Sequence, residues 1–350
     1  IKIVKERVKN AKGLAIKTDF WTSIGNESYC GITGHWISND WELKSIVLEC
    51  IHFNNRHYAD NIASFYMNFA EKWNFTNKVQ AIVTDNARNM FSAINKTAFV
   101  HIPCLAHSLQ LSILIGFKAS DNKTLFDRCR SIVGHFKHSA ASTAELENCA
   151  ESELRRLQQD VPTRWNSVLI MLQCLLQARK AITIFMSSER NHFNIPNLSD
   201  SDWDKISNYV KVLDLFCQAT VLLGGQKYFS YSCVLPLLTC LTKHMAVNDN
   251  DPGYIVRFKV ASIDDFTKRV VEIKSIESLQ IATALDPRYK NLKCLTEDLK
   301  ERVWTRIKEK LTTYAYADQV ETNEQSNIDI ANEILYKSKD KYIKLMKSDS

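Results

Sequence analysis

Length and composition exclude several classes of protein. The chain has 350 residues, of which 45% are hydrophobic, so it is long enough to bury a sizeable core and is not a disordered tail. The formal net charge is only +6, which allows a polyanionic partner but lies far below that of a dedicated basic protein. Nine glycines and six prolines are few for this length, and this favours long helices with short connections.

The cysteines and the N-terminal stretch bear on location. Ten cysteines are scattered without a C-x-x-C pair, which predicts reduced thiols rather than a disulfide framework or a zinc ribbon. The stretch IKIVKERVKNAKG is a charged helical pattern rather than the core of a signal peptide. No run reaches the roughly 18 apolar residues that a membrane span needs. We therefore expect a soluble cytosolic or nuclear protein with no membrane partner.

The first hundred residues predict a mixed α/β fold. Three runs rich in branched and aromatic residues predict an antiparallel meander: LAIKTDFWT (14–22), YCGITGHWI (29–37) and ELKSIVLECIHF (42–53). A helix over 59–73 follows, with Asp60 as its N-cap. The strand KVQAIVTD, the helix NARNMFSAINK and the short strand FVHIPC come next. The predicted order is βββαβαβ, in a five-stranded mixed sheet.

From Ala106 onward the pattern is helix after helix. The stretch TRWNSVLIMLQCLLQARKAITIFM is apolar along one helical face, and SDSDWDKISNYVKVLDLFCQAT opens with Asp and Ser caps. Pro287, in LDPRYK, is predicted to end a helix. The predicted domains are an α/β core over 1–117, a helical insertion over 118–295, and C-terminal helices over 296–350 that return towards the core.

Two aspartates each follow a short apolar run in a predicted strand, although aspartate is disfavoured in strands because it competes with the ladder for hydrogen bonds. Asp19 lies in the first strand and Asp85 at the end of the fourth. A turn or cap residue is the ordinary explanation, above all for Asp85, which precedes a predicted helix. As a pair they could instead bind divalent cations, which relieve carboxylate repulsion and can activate an oxygen at a phosphodiester.

Five segments resemble the hAT transposase superfamily, most closely its BED-finger branch of transposase-derived proteins: TDFWTSIGNESYCGITGHWI, KVQAIVTDNARNM, CLAH, VPTRWNSVLIML and IATALDPRYK. The resemblance covers about residues 15–290. It implies an α/β plus all-α fold, with an RNase H-like core interrupted by a large helical insertion. It also implies double-stranded DNA as the partner and a nuclear location.

The resemblance assigns catalytic roles to the two aspartates. Asp19 and Asp85 match the first two acids of a DDE triad that binds Mg²⁺ or Mn²⁺. The third acid of the family is a glutamate in a C-terminal segment similar to SSERxFS, within a dimerisation region, and no such segment occurs at that end of this sequence. Glu333, in ANEILYK, is a late helical acid that could substitute for it.

The stretch HIPCLAHSL holds Cys104 and His107 three residues apart. If Pro103 starts a helix, the two share a face with two leucines. As zinc ligands they would be two of the four required, and we expect no zinc site within this chain. The pair matches the C/D-x-x-H motif of the family, which implies a position close to the acidic site. There His107 could contact substrate, orient a metal ligand or simply pack.

Arg164 and Trp165, in TRWNS, have two interpretations. An aromatic residue at the start of an amphipathic helix is ordinarily a core residue. In similar transposases this pair lies by the active site, which implies that the Trp stacks on a flipped base and that the Arg meets a phosphate. Four basic residues on and beside the helix that follows CLAH form either a phosphate-tracking face or a solvated helix face: Lys118, Lys123, Arg128 and Arg130.

The sequence thus predicts a transposase-derived DNA-binding protein whose ancestral reaction is Mg²⁺-dependent DNA strand cleavage and transfer. We expect it not to be a complete enzyme by itself, because the BED finger and the third-acid segment are not among these residues. Two alternatives stay open. One is an active DNA transposase with further terminal segments, and the other is a helical protein-interaction scaffold or transcription regulator. Any homo-oligomer is expected to form through segments outside this chain.

Overall fold

The structure is a computed structural model that describes residues 2–9, 11–161, 164–188, 195–225 and 230–320. The chain divides into two compact units, Ile1–Ser275 and Ile276–Ser350. The first unit contains one β-sheet and a set of helices, and the described part of the second unit is helical.

Five strands form one mixed sheet in the order β3-β2-β1-β4-β5. Their bounds are β1 Leu14–Thr22, β2 Ser28–Ile37, β3 Leu43–His52, β4 Val79–Thr84 and β5 His101–Pro103. The first three strands pair antiparallel, whereas β4 runs parallel to both β1 and β5. The predicted meander, the mixed sheet and the order βββαβαβ are confirmed.

One face of the sheet packs into the hydrophobic core of this region. Three helices accompany the strands: α1 Lys2–Lys9, α2 Ala59–Trp73 and α3 Arg88–Ile94. The apolar side of α2, with Ile62 and Phe69 buried, belongs to the same cluster as Ile16 and Ile82 of the sheet. Alternation of side chains along each strand therefore directs the other residues of β1 towards the opposite face.

The start of α2 differs from the prediction. The N-cap residue is Tyr58, so the predicted cap Asp60 is wrong and lies in the first turn of the helix. A carboxylate in that turn still suits the positive end of the helix dipole. Asp60 also forms an ion pair with Lys96, a contact between distant residues that a local capping pattern does not indicate.

The described residues of the first unit contain eight further α-helices: α4 Leu105–Ala119, α5 Lys123–His138, α6 Ala140–Asn148, α7 Trp165–Gln177, α8 Arg179–Ser187, α9 Asp200–Leu223, α10 Val234–His244 and α11 Gly253–Lys274. Helix α4 packs along α11. Gly116 allows this close approach, because a Cβ atom there would lie 2.8 Å from the ring of Phe258 and closer still to Ser262 Oγ.

Three helix termini show where local pattern succeeds and fails. The predicted cap of α9 is confirmed, since Ser199 and Asp202 form a capping box. The stretch over 163–186 is not one helix, because α7 and α8 meet at a bend of 62°. Pro103 does not start α4 but ends β5, where it pairs with Thr84.

Helix α9 is long and apolar enough, by length and composition alone, to cross a membrane. Several of its apolar residues are part of the protein interior. Trp203, Tyr209 and Phe216 are buried, and the helix contacts α4, α7 and α10. These contacts account for the apolar surface of α9 without a lipid environment.

The second unit contains α12 Glu277–Leu285 and α13 Glu297–Val320. A small cluster of buried residues, including Leu292, Val303 and Ile307, packs between them. Helix α12 ends at Leu285, two residues before Pro287, as predicted. The domain boundaries at 117/118 and 295/296 stay predictions.

Candidate functional site

Asp19 lies within β1, and Asp85 directly follows the neighbouring parallel strand β4. Strands β1 and β4 pair in the register Ile16 to Ile82 and Lys17 to Val83. The recorded pairing ends there. Continued by two residues, the same register would set Asp85 beside Asp19, which is 66 positions away in the sequence, because neighbouring strands lie about 4.8 Å apart.

Asp19 lies on the face opposite the core, and Asp85 lies in the loop between β4 and α3. Leu14, Ile16 and Thr18 alternate as buried residues of β1, whereas Asp19 is exposed. Asp85 is half-buried and its Oδ1 accepts the backbone N–H of Ala87, 3.1 Å away. The side chain of Asp85 does not cap α3, because the N-cap position belongs to Ala87 and has no side-chain cap hydrogen bond. Asp85 is therefore not the cap of α3. Its carboxylate accepts one backbone hydrogen bond within the loop.

An aromatic pair lies beside Asp19 on this open face. The rings of Trp21 and Tyr29 stack with centroids 5.9 Å apart and an interplanar angle of 20°. Asp19 pairs with Gly31 of β2, where a Cβ atom would lie 3.0 Å from Cζ3 of Trp21. Glycine thus lets the indole lie over β2, next to the first carboxylate. Trp21, in DFWTS, is exposed on this face and was not predicted as a site residue.

A threonine precedes each aspartate and is buried on the core face. Thr18 Oγ1 lies 2.7 Å from Tyr66 Oη, and Thr84 Oγ1 lies 2.9 Å from His101 Nε2. Burial lowers the pKa of His101, and the nearby Asp85 carboxylate opposes this effect. These residues were not predicted from the sequence, although a Thr-Asp dipeptide occurs within β1 and again where β4 ends.

The first turn of α4 lies against the loop that carries Asp85. Cys104 donates its backbone N–H to the carbonyl oxygen of Thr84 at 2.8 Å. The side chain of Asn86 donates to Ser108 Oγ at 2.6 Å. His107 lies in the same turn and is half-buried. The hydrogen bond from Cys104 to Thr84 places the start of α4, with Cys104 and His107, next to the residue that precedes Asp85. The predicted role of this pair stays a prediction.

Arg164 and Trp165 meet the next turn of α4. The backbone N–H of Trp165 donates to Gln110 Oε1 at 3.3 Å, and the side chain of Arg164 is exposed. The ring of Trp165 is 1% exposed and contacts Phe216 edge-on. In this arrangement the indole packs in the helical core and is not open to a base. Trp165 therefore fits the interpretation as a core aromatic residue better than the interpretation as a base-stacking residue.

The predicted basic face divides into two kinds of residue. Arg130 binds Asp160 and Asp127, and Arg128 binds Asp202, with donor to acceptor distances of 2.8 to 3.1 Å. A phosphate would have to compete with these carboxylates for either guanidinium group.

Lys118 and Lys123 remain exposed. Lys118 lies in the last turn of α4, 11 residues beyond His107. This spacing corresponds to about 16 Å along the helix. The two lysines therefore lie at the far end of α4 from the aspartates.

The aspartates have the chemistry that a hard divalent cation requires. Mg²⁺ is usually held by one or two carboxylates together with waters and substrate phosphates. Among the described residues, neither Asp19 nor Asp85 has a cationic partner, so no ion pair competes with a metal ion for these oxygens. Within the same ranges, no third His, Cys, Asp or Glu joins them in a metal-binding group. Glu333 lies outside the described residues.

Two family models match this region of the chain. The family model described as the ZBED1 RNase-like domain matches residues 17–102, and the ZBED1 RNase-like helical domain matches residues 102–212. The first match includes both aspartates, and the second begins just before α4. Together they span more than half of the chain.

Several curated proteins are similar to the chain. The Zea mays protein named "Putative AC transposase" is 26% identical over 296 residues, covering 78% of this chain and 36% of the relative. Zinc finger BED domain-containing protein 4 of Homo sapiens is 23% identical over 304 residues, covering 82% and 26%. Zinc finger BED domain-containing protein RICESLEEPER 2 of Oryza sativa is 24% identical over 225 residues, covering 57% and 30%.

The matched part spans about a third of the length of these relatives. The family models and the relatives name the same lineage, which the five sequence segments resemble. The chain belongs to the hAT-type transposase-derived proteins of the BED zinc-finger branch.

Proposed function

We propose that the sheet is an RNase H-like core in which Asp19 and Asp85 hold Mg²⁺ or Mn²⁺ against a phosphate of double-stranded DNA. One observation carries the proposal: Asp19 in β1 and Asp85 directly after β4 belong to neighbouring parallel strands, and neither carboxylate has a cationic partner among the described residues. Repulsion between such carboxylates is relieved by a divalent cation. The bound cation would polarise a phosphodiester oxygen.

The surface around the site supports DNA rather than a small anion as the partner. Arg164 is exposed at the start of α7, beside the turn of α4 that follows His107. Lys118 and Lys123 extend the positive charge along α4 towards α5. A duplex crosses distances of this order and gains affinity from each phosphate that meets a cationic side chain. The family of the chain, with its transposase relatives, fits the same partner and a nuclear location.

We propose further that residues 1–350 handle DNA without completing the cleavage reaction. Two-metal phosphoryl chemistry needs more carboxylate ligands than Asp19 and Asp85 provide. Among the described residues no third acid joins them, and Glu333 is the candidate that sequence analysis names for that position. The chain would then keep the DNA-handling scaffold of a transposase.

The test uses residues 1–350, a fluorescent duplex of about 40 base pairs and Mg²⁺ or Mn²⁺. We expect binding whose affinity falls steeply as salt rises, because phosphate contacts release counterions. We expect no strand cleavage. Binding that is absent or insensitive to salt would contradict the DNA proposal and favour a protein-interaction scaffold. Robust metal-dependent cleavage that Asp19→Ala abolishes would show instead a complete enzyme.

A further inference from the structure

The two candidate metal ligands share a feature in their local structure. Each is preceded by a threonine, Thr18 or Thr84, whose exposed fraction is 4% or 1%. Successive side chains of a strand point to opposite faces. In β1, Thr18 therefore lies on the core face and Asp19 on the open face. In β4, Thr84 lies on the same side as Ile82 of the core, and Asp85 lies in the loop that follows.

Each threonine hydroxyl is held by a side chain from a different element. Tyr66, on α2, lies 2.7 Å from Thr18 Oγ1, and its ring is buried. His101, on β5, lies 2.9 Å from Thr84 Oγ1. A buried hydroxyl that lost such a partner would remain unpaired, so each contact fixes its strand end against the rest of the fold.

The contact at Thr84 extends to the aspartate itself. Thr84 Oγ1 lies 2.8 Å from the carbonyl oxygen of Asp85 and donates to it. Because the hydroxyl has a single proton, His101 then donates Nε2–H to the same oxygen. The chain of hydrogen bonds runs from His101 through Thr84 to the backbone of Asp85, and it restricts rotation of that peptide.

We propose that Thr18 and Thr84, held by Tyr66 and His101, are positioning residues that fix the Asp19 and Asp85 carboxylates in a geometry able to share one divalent cation. The inference rests on the proposed metal-binding function and adds to it the groups that set the spacing of the ligands. Hydrogen-bonded partners of metal ligands orient them, and their loss typically weakens metal binding about 10-fold to 100-fold.

The experiment measures the Mn²⁺ dissociation constant of residues 1–350 by electron paramagnetic resonance, together with the melting temperature without metal. The variants are Thr18→Val and Thr84→Val, which keep the side-chain shape and remove the hydroxyl, and Thr18→Ser and Thr84→Ser, which keep the hydroxyl. Thr143→Val is the matched control, because it removes a hydrogen-bonded hydroxyl from α6, in the helical part of the unit.

We expect each Val variant at Thr18 or Thr84 to bind Mn²⁺ about 10-fold more weakly, while the Ser variants and Thr143→Val keep the wild-type constant. A lower melting temperature with an unchanged Mn²⁺ constant would overturn the proposal, because it would reveal a purely structural role. If a Val variant does not fold, Tyr66→Phe and His101→Phe remove the same contacts from the other side and carry the same expectation.

The design separates this inference from the proposed function. If wild-type protein binds no Mn²⁺, or if Asp19→Asn and Asp85→Asn leave binding unchanged, the metal site itself is wrong and the positioning role falls with it. If both Asn variants abolish binding while the Val variants match the wild type, only the positioning role is overturned.

Discussion

Arg128 and Asp202, 74 positions apart, form a two-pronged ion pair that joins α5 to the first turn of α9. The two guanidinium nitrogens lie 2.8 and 2.9 Å from the two carboxylate oxygens. The side chain of Asp202 is 5% exposed and also accepts hydrogen bonds from Ser199. An arginine expected to follow a DNA backbone is thus an internal tie between two helices.

This ion pair predicts a specific acid sensitivity. Burial alone would raise the pKa of Asp202, but hydrogen bonds from Ser199 and Arg128 outweigh it and hold the pKa below its usual value. The pair therefore stabilises the fold above the unfolded pKa of about 3.9, and this contribution is lost as pH falls through the folded value.

Asp202→Asn is expected to lower the free energy of unfolding by about 3 kcal/mol at pH 7, because it leaves the Arg128 charge unpaired. Urea unfolding at pH 7 and at pH 3 measures the effect, and the difference between variant and wild type should shrink at pH 3. Asp200→Asn is the control in the same helical turn, since Asp200 is 94% exposed in its pair with Arg179. Equal losses in the two variants would contradict the account.

The substitution of glycine by alanine is expected to have opposite effects on stability at two helical positions, Gly116 and Gly134. Gly116→Ala is expected to destabilise the fold by about 1–3 kcal/mol, because its Cβ would meet Phe258 and Ser262 of α11. Gly134→Ala, on α5, is expected to stabilise it by roughly 0.5–1 kcal/mol, since helix propensity improves. The nearest atom to a Cβ at Gly134 is 3.9 Å away. Thermal unfolding of both variants decides the matter, and a stable Gly116→Ala would mean that α4 and α11 are not so close.

Trp165 predicts a loss of stability rather than a loss of DNA contact. Trp165→Ala is expected to lower the free energy of unfolding by about 3–5 kcal/mol, as for other buried aromatic residues. Trp41→Ala is the control, because that side chain is 83% exposed. Urea unfolding measures stability, and duplex binding is measured under conditions in which both variants are folded. A stable Trp165→Ala variant with weakened binding would restore the base-stacking role.

Arg164 predicts a change in the salt dependence of DNA binding without a change in folding. Arg164→Ala is expected to reduce the slope of log affinity against log salt by about 1, the value for one lost phosphate contact. Arg164→Lys keeps the charge and should keep the slope. Fluorescence anisotropy at several salt concentrations gives both values. An unchanged slope for Arg164→Ala would remove this residue from the DNA surface.

The strands could be predicted from sequence because alternation is a local property. Predicted and observed bounds of β1 agree, and those of β2 and β3 differ by one residue at the ends. The order of elements that brings Asp19 and Asp85 together was predicted for the same reason. The residues that hold those strand ends were not, because Tyr66 and His101 meet them only through tertiary contacts.

The basic and aromatic residues show the limit of pattern more sharply. Arg128 and Arg130 look like free surface charges, and only the fold reveals that Asp202 and Asp160 lie opposite them. The break between α7 and α8 falls at Ala178. Alanine is a good helix former, so no proline or glycine in the sequence indicates the break. Long-range packing decides such features.

The most direct test of the central claim is a crystal of residues 1–350 soaked in Mn²⁺ and measured at the manganese absorption edge. We predict an anomalous peak between the carboxylates of Asp19 and Asp85, and its loss in Asp19→Asn crystals treated in the same way. Carboxylates that point apart, or that meet without any anomalous density, would contradict the account and leave the open face of the sheet without a metal site.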